Sequence, residues 1–210
     1  MFKKELDILL KAILAGILIG IGGTVYLSAE NKVVGSLMFA VGLFTICYFS
    51  LNLFTGKIGY LLINKPNYLI DLGIIWTGNL IGTGIVGLTI PLTRQIQLVE
   101  KAKAVCDTKV NDSLLSIFIL AIFCGMLMYI AVETFKTSRD KPIYGCIAVF
   151  TCVSVFILCG FEHCIADMFY FILAGCYSNE KTMTILMCAT FGNTVGAVLF
   201  QKISTLNMNN

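Results

Sequence analysis

The 210 residues are 58% hydrophobic and 13% charged, with a mean hydropathy of +0.88 and a formal net charge of +3. A water-soluble domain of this length cannot bury so much apolar surface, so the bilayer is the expected solvent. The small net charge provides no basic stripe for a nucleic acid, and the nine cysteines form neither a C-x-x-C pair nor a metal-ligand spacing.

Six apolar segments follow one another, at 9–28, 33–63, 68–92, 113–135, 143–177 and 182–203. Each has at least about 20 residues, enough to span roughly 30 Å of hydrocarbon at about 1.5 Å per residue. The first runs through Gly20-Ile21-Gly22-Gly23 without a small-x-small cleavage site, and reads as a span rather than a signal peptide. The second would be about 46 Å long as one helix and the fifth about 52 Å. Tilt absorbs part of that excess. A break that divides each into two half-helices absorbs the rest. It is expected where the sequence turns polar or glycine-rich, at Thr55-Gly56 and between Gly160 and His163.

The third and sixth segments carry the same pattern, Gly78-Asn79-Leu80-Ile81-Gly82 and Gly192-Asn193-Thr194-Val195-Gly196. Small residues four apart let helices approach closely. The shared asparagine, one segment after each interrupted span, divides a single transmembrane domain (1–210) into repeats of about 1–92 and 113–205. A loop at about 93–112 joins them. Three spans per repeat give the halves opposite sense in the membrane, an inverted 3+3 plan. The expected fold is therefore all-α and integral to the membrane, with six transmembrane helices of which two are broken. Lys and Arg favour the side that holds both termini, nine to six, so both termini are expected in the cytoplasm.

Irregular backbone survives in a membrane only where protein buries it or a cavity faces it. The starts of the two second half-helices carry partial positive charge. Meeting from opposite sides, they would form an anion-attracting centre without a permanent cation, to which Thr55 adds a hydroxyl. His163 is the only histidine, sits at a break, and belongs to the side-chain type that changes charge near neutral pH. Glu162 adjoins it and Asp167 lies one helical turn on. An intramembrane ionisable residue is by default a functional candidate; the plainer reading is a hydrogen-bonded core histidine. Glu162, His163 and Asp167 could also be read as an intramembrane metal site, although there is no second histidine. Phe39, Leu43 and Phe156 are in register with the breaks and are candidates for hydrophobic gates, against the alternative of ordinary packing. Lys57 either draws anions toward the cavity or reaches an interface. A neutral-solute or water pore remains a rival, but its paired Asn-Pro-Ala elements do not occur in this sequence.

The runs Leu53-Phe54-Thr55-Gly56 and Gly160-Phe161-Glu162-His163-Cys164-Ile165-Ala166, with Met168, Asn79 and Asn193, resemble the formate/nitrite transporter family over essentially the whole chain. The resemblance implies an aquaporin-like protomer, a homopentamer with one pore per protomer, and passage of small monovalent weak-acid anions such as formate, nitrite or hydrosulfide. It implies no cofactor, no bound metal and no enzyme activity; the partners would be an anion, a proton and membrane lipid. By analogy Thr55, His163, Glu162 and Asn193 would form the central chamber and proton relay. Phe39 and Phe156 would form the outer constriction, and Leu43, Leu53 and Phe54 the inner one. The sequence departs from the family pattern at Asp167, where asparagine is usual, at Gly125, near which the family often has a polar residue, and at Lys57. A carboxylate beside His163 would favour its protonated form and repel an anion. Proton transfer through His163 would neutralise the anion, and replacing that residue would then change the pH dependence of uptake.

Overall fold

The computed structural model describes residues 2–206 and is all-α. In chain order the helices are α1 (Phe2–Ser28), α2 (Lys32–Tyr48), α3 (Phe54–Lys57, prolonged by a 3₁₀ segment at Ile58–Ile63), α4 (Tyr68–Thr89), α5 (Leu98–Val110), α6 (Leu114–Thr137), α7 (Pro142–Leu158), α8 (Cys164–Leu173) and α9 (Glu180–Leu206). Four of them are long and apolar enough to cross a membrane, over Lys3–Ser28, Tyr68–Leu92, Leu114–Thr137 and Glu180–Leu206. The polarity is distributed inside out. Leu10, Leu14 and Ile21 of α1 are exposed, as are Ile81, Ile85 and Leu88 of α4 and Met183, Met187 and Phe191 of α9. Thr55, Asn79, Thr83, Glu162, His163, Asp167 and Asn193 are buried. An apolar exterior around a polar interior suits hydrocarbon as the surrounding medium.

The interruptions between α2 and α3 and between α7 and α8 are built alike. After α2, Ser50 takes a left-handed φ of 53°, the Ser50 amide donates to Cys47 O and the Leu51 amide to Ile46 O. After α7, Gly160 takes a φ of 65°, its amide donates to Ile157 O and the Phe161 amide to Phe156 O. Both are Schellman ends, which satisfy the last helical carbonyls internally. The first interruption therefore covers Phe49 to Leu53, several residues before the expected Thr55-Gly56, which lies within α3. Serine in the left-handed position carries no glycine signal, which is why the sequence marks this turn poorly.

The two G-N-x-x-G elements are the crossing points of long helices. α4 packs on α1, and α9 packs on α6. A Cβ on Gly82 would lie 2.1 Å from Ile13 O, and one on Gly196 1.9 Å from Ile122 O. Gly16 and Gly125 supply the complementary notches, since a Cβ there would lie 2.3 Å from Asn79 O and 2.2 Å from Asn193 O. The departure at Gly125 thus has a packing cause: no side chain fits. Gly196→Leu is expected to force α6 and α9 apart and to cost about 3 kcal/mol, the upper range for overpacking. A lower melting temperature in detergent would show it, whereas the same change at Gly73, which has open space around it, should have little effect.

The segment at 93–112 is not an open loop. Its helix α5 buries Leu98, Ala102 and Cys106 along one stripe. Lys101 Nζ donates to Leu27 O at 2.7 Å, closing the carbonyl end of α1.

Candidate functional site

Each interruption is held by an asparagine from the following long helix. Asn79 accepts from the Phe54 amide (2.9 Å) and donates to Ala12 O (2.8 Å) and Asn52 O (2.9 Å). Asn193 accepts from the Cys164 amide (3.0 Å) and donates to Ala121 O and Glu162 O, both at 2.8 Å. The two clamps are built alike: each satisfies one amide and one carbonyl that the break has freed from helical bonding, and ties them to a carbonyl of the long helix alongside, Ala12 O of α1 or Ala121 O of α6. Asn193 therefore does not belong to the chamber or relay, as its family resemblance implied. All of its polar atoms are engaged with backbone.

The same bonds revise the expectation of an anion-attracting centre formed by bare helix starts. The Phe54 and Cys164 amides are taken by the asparagines, and the Ala166 amide donates to His163 Nδ1 at 3.0 Å. His163 is thus the N-cap of α8, the position where a side-chain acceptor satisfies an orphan amide.

That cap fixes the state of the ring. A backbone N–H can only donate, so Nδ1 carries a lone pair and the proton of the neutral imidazole sits on Nε2. Nε2 lies 2.9 Å from Thr55 Oγ1, both groups fully buried. His163 donates to Thr55, and the Thr55 hydroxyl proton is left to point at an acceptor. An imidazolium would need a proton on Nδ1 facing the Ala166 N–H. In this arrangement the ring is therefore a neutral donor.

The aromatic residues close around this pair. Phe156 stacks on His163 with ring centroids 5.4 Å apart, and meets Phe39 edge-on at 5.8 Å and 88°. Phe39, Leu43, Leu53, Phe54 and Phe156 are all buried. A cavity of about 100 Å³ lies on the α5 side, with Phe156, His163, Asp167 and Lys109 in its wall. A cavity of about 230 Å³ lies on the side of the α6–α7 turn, and reaches Leu53, Gly56, Lys57, Lys136 and Arg139. Among the described residues no carboxylate lines this second cavity, and Lys57 makes no ion pair.

Lys109 of α5 was not anticipated. Its ammonium donates to the Glu162 carboxylate and lies 3.0 Å from Asp167 Oδ1, and all three side chains are nearly or wholly buried. Asp167 accordingly pairs with Lys109, not with His163, so the expected stabilisation of a protonated ring does not arise. Burial pushes the Lys109 ammonium down, but Asp167 and Glu162 more than reverse this and hold it above its ordinary value. A permanent cation thus stands in the wall of the α5-side cavity, paired with Glu162 and Asp167. Its signal was present in the sequence. Leu98, Ala102, Cys106 and Lys109 fall on one helical stripe, and a cation on an apolar stripe needs a buried anion. Glu162 and Asp167 are the only acids in 143–177. Among the described residues no group of three or more His, Cys, Asp or Glu is placed to hold a metal ion.

A family model described as formate/nitrite transporter matches residues 2–206. The uncharacterized transporter YrhG of Bacillus subtilis (strain 168) is 27% identical over 186 residues, covering 81% of this chain and 69% of that protein. The formate channel FocB of Escherichia coli (strain K12) is 25% identical over 190 residues, covering 80% of this chain and 66% of its own length. The chain therefore spans about two-thirds of the length of these two relatives. A solved pentameric formate channel with formate bound superposes with a TM-score of 0.83 at 25% identity, covering 99% of this chain and 98% of that one. With a match over nearly every residue and the same helical fold, the chain belongs to the formate/nitrite transporter family.

Proposed function

We propose that this protein is a pH-dependent channel for small monovalent weak-acid anions, such as formate, nitrite or hydrosulfide, in the cytoplasmic membrane. The observation that carries this reading is the contact of Thr55 Oγ1 with His163 Nε2 between two separate cavities. It would offer a hydrogen-bond donor to an anion at a fully buried point between the two cavities. The spans would be α1, α2 with α3, α4, α6, α7 with α8, and α9. This gives six crossings in an inverted 3+3 repeat of aquaporin-like design, with both ends cytoplasmic. The matching Schellman turns and asparagine clamps support the repeat. The pentamer of the similar formate channel supports a homopentamer here, with lipid on the apolar outer faces.

The route would run from the α6–α7 cavity past Leu43, Leu53 and Phe54, across Thr55 and His163, and between Phe39 and Phe156 to the α5 cavity. A bare anion pays heavily to leave water. Lys57, Lys136 and Arg139 at the α6–α7 mouth would raise its local concentration. Lys57→Met is expected to lower the initial rate severalfold at low ionic strength and much less at about 0.5 M salt, where charges beyond a few ångströms are screened.

Reconstituted liposomes tested with formate, nitrite, hydrosulfide and a neutral solute such as glycerol would decide the substrate class. Passage of the weak-acid anions, rising as external pH falls, is expected. Glycerol passage with no anion flux would overturn the reading.

A further inference from the structure

Lys109 faces two carboxyl groups, Glu162 and Asp167, in surroundings from which water is almost excluded. The other titratable groups packed near Asp167 are Cys106, Cys124, Cys164 and Tyr170, with His163 in the same cavity wall as a neutral ring, and none of them supplies a positive charge at neutral pH. Two ionised carboxylates would leave one uncompensated negative charge buried in the wall of the cavity an anion must cross. Like charges held this close share a proton instead. The hydrogen bonds indicate where it sits. The Glu162 carboxylate takes the direct bond from the ammonium, and Asp167 Oδ1 also faces the ammonium, at 3.0 Å. Asp167 Oδ2 is buried and has no partner.

We propose that Asp167 is a neutral carboxylic acid whose proton, on Oδ2, is offered to the anion entering the α5 cavity. A buried orphan oxygen is costly; an acceptor of one or two oxygens, arriving with the substrate, completes it. The cavity of about 100 Å³ is large enough for a three-heavy-atom anion. In the transfer the Oδ2–H bond breaks and an O–H bond forms on the substrate. Asp167 is left as a carboxylate beside Lys109, and a proton from bulk water on the α5 side restores it. The neutral acid then passes Phe39 and Phe156 without carrying charge into the constriction. Asp167 thus supplies the proton that a neutral His163 cannot. The inference rests on the proposed anion transport, but its first readout does not use flux.

Infrared spectra of the purified protein in lipid at pH 7 should show the carbonyl stretch of a buried carboxylic acid. It should move to lower frequency in D₂O, and again when formate or nitrite is added. Either Asp167→Asn or Glu162→Gln leaves one carboxyl for the one ammonium, so the band is expected to vanish in both. Glu162→Asp, which keeps both carboxyls, should leave its frequency unchanged, whereas Asp167→Glu should shift it. Anion uptake by Asp167→Asn should fall about tenfold or more, as expected when a proton-transfer group is lost. A band absent from the parent, a band that survives Asp167→Asn, or Asp167→Asn uptake equal to the parent's would each overturn the proposal. A parent that shows the band without any anion flux would instead overturn the transport reading.

Discussion

Lys109→Met is expected to destabilise the protein by about 3–5 kcal/mol, because breaking a buried ion pair leaves the partner charge on Glu162 uncompensated. The loss is worse here than for a simple pair, since two carboxyl groups depend on the one ammonium. The melting temperature in detergent would fall, and α5 would be released from the cavity it covers. The triple variant Lys109→Met, Glu162→Gln, Asp167→Asn removes the charges together and should recover most of the stability. Failure to recover would mean that α5 is held by packing of Leu98, Ala102 and Cys106 and not by charge. The sign of the pH dependence follows from the raised Lys109 value. Stability from a raised base is complete below its unfolded value of about 10.4, and is lost only as pH rises through the folded value. The Lys109 contribution is therefore constant across the physiological range.

How far the sequence could be read differs from element to element, for physical reasons. The inside-out polarity and the paired asparagines stand out because a bilayer tolerates few polar residues, so each one is conspicuous. Thr55 and His163 were marked in the same way, and the structure brings them to 2.9 Å. What the asparagines do was not legible. Whether an amide faces a cavity or a backbone depends on the crossing of α6 with α9, fixed by contacts such as Gly196 on Ile122. Lys109 is hard to read from sequence because a lysine in a polar connection is usually solvated; only the stripe through Cys106 turns it inward. The first break, at Phe49 to Leu53 and not at Thr55-Gly56, is poorly marked in the sequence because Ser50 adopts a conformation usually left to glycine.

Replacing His163 should separate its two hydrogen bonds. His163→Phe removes both the cap on the Ala166 amide and the donor to Thr55. His163→Asn keeps a good N-cap side chain, so its stability should stay within about 1 kcal/mol of the parent, but the shorter amide cannot reach Thr55 as the ring does. Both variants lose a preorganised donor at a water-poor point. By analogy with removal of one oxyanion donor, uptake is expected to fall about 10²- to 10³-fold. The informative measurement is the shape of the pH profile in His163→Asn liposomes. With a neutral ring in the parent, the rate should drop by the same factor at every pH, and the normalised curves should superimpose. A profile that loses its acid limb in His163→Asn would mean that imidazolium carries the proton, which requires Nδ1 to surrender the Ala166 amide during each passage. The cap at 3.0 Å argues for the first outcome, because protonation would trade a satisfied backbone donor for two N–H groups facing each other in a medium that solvates neither.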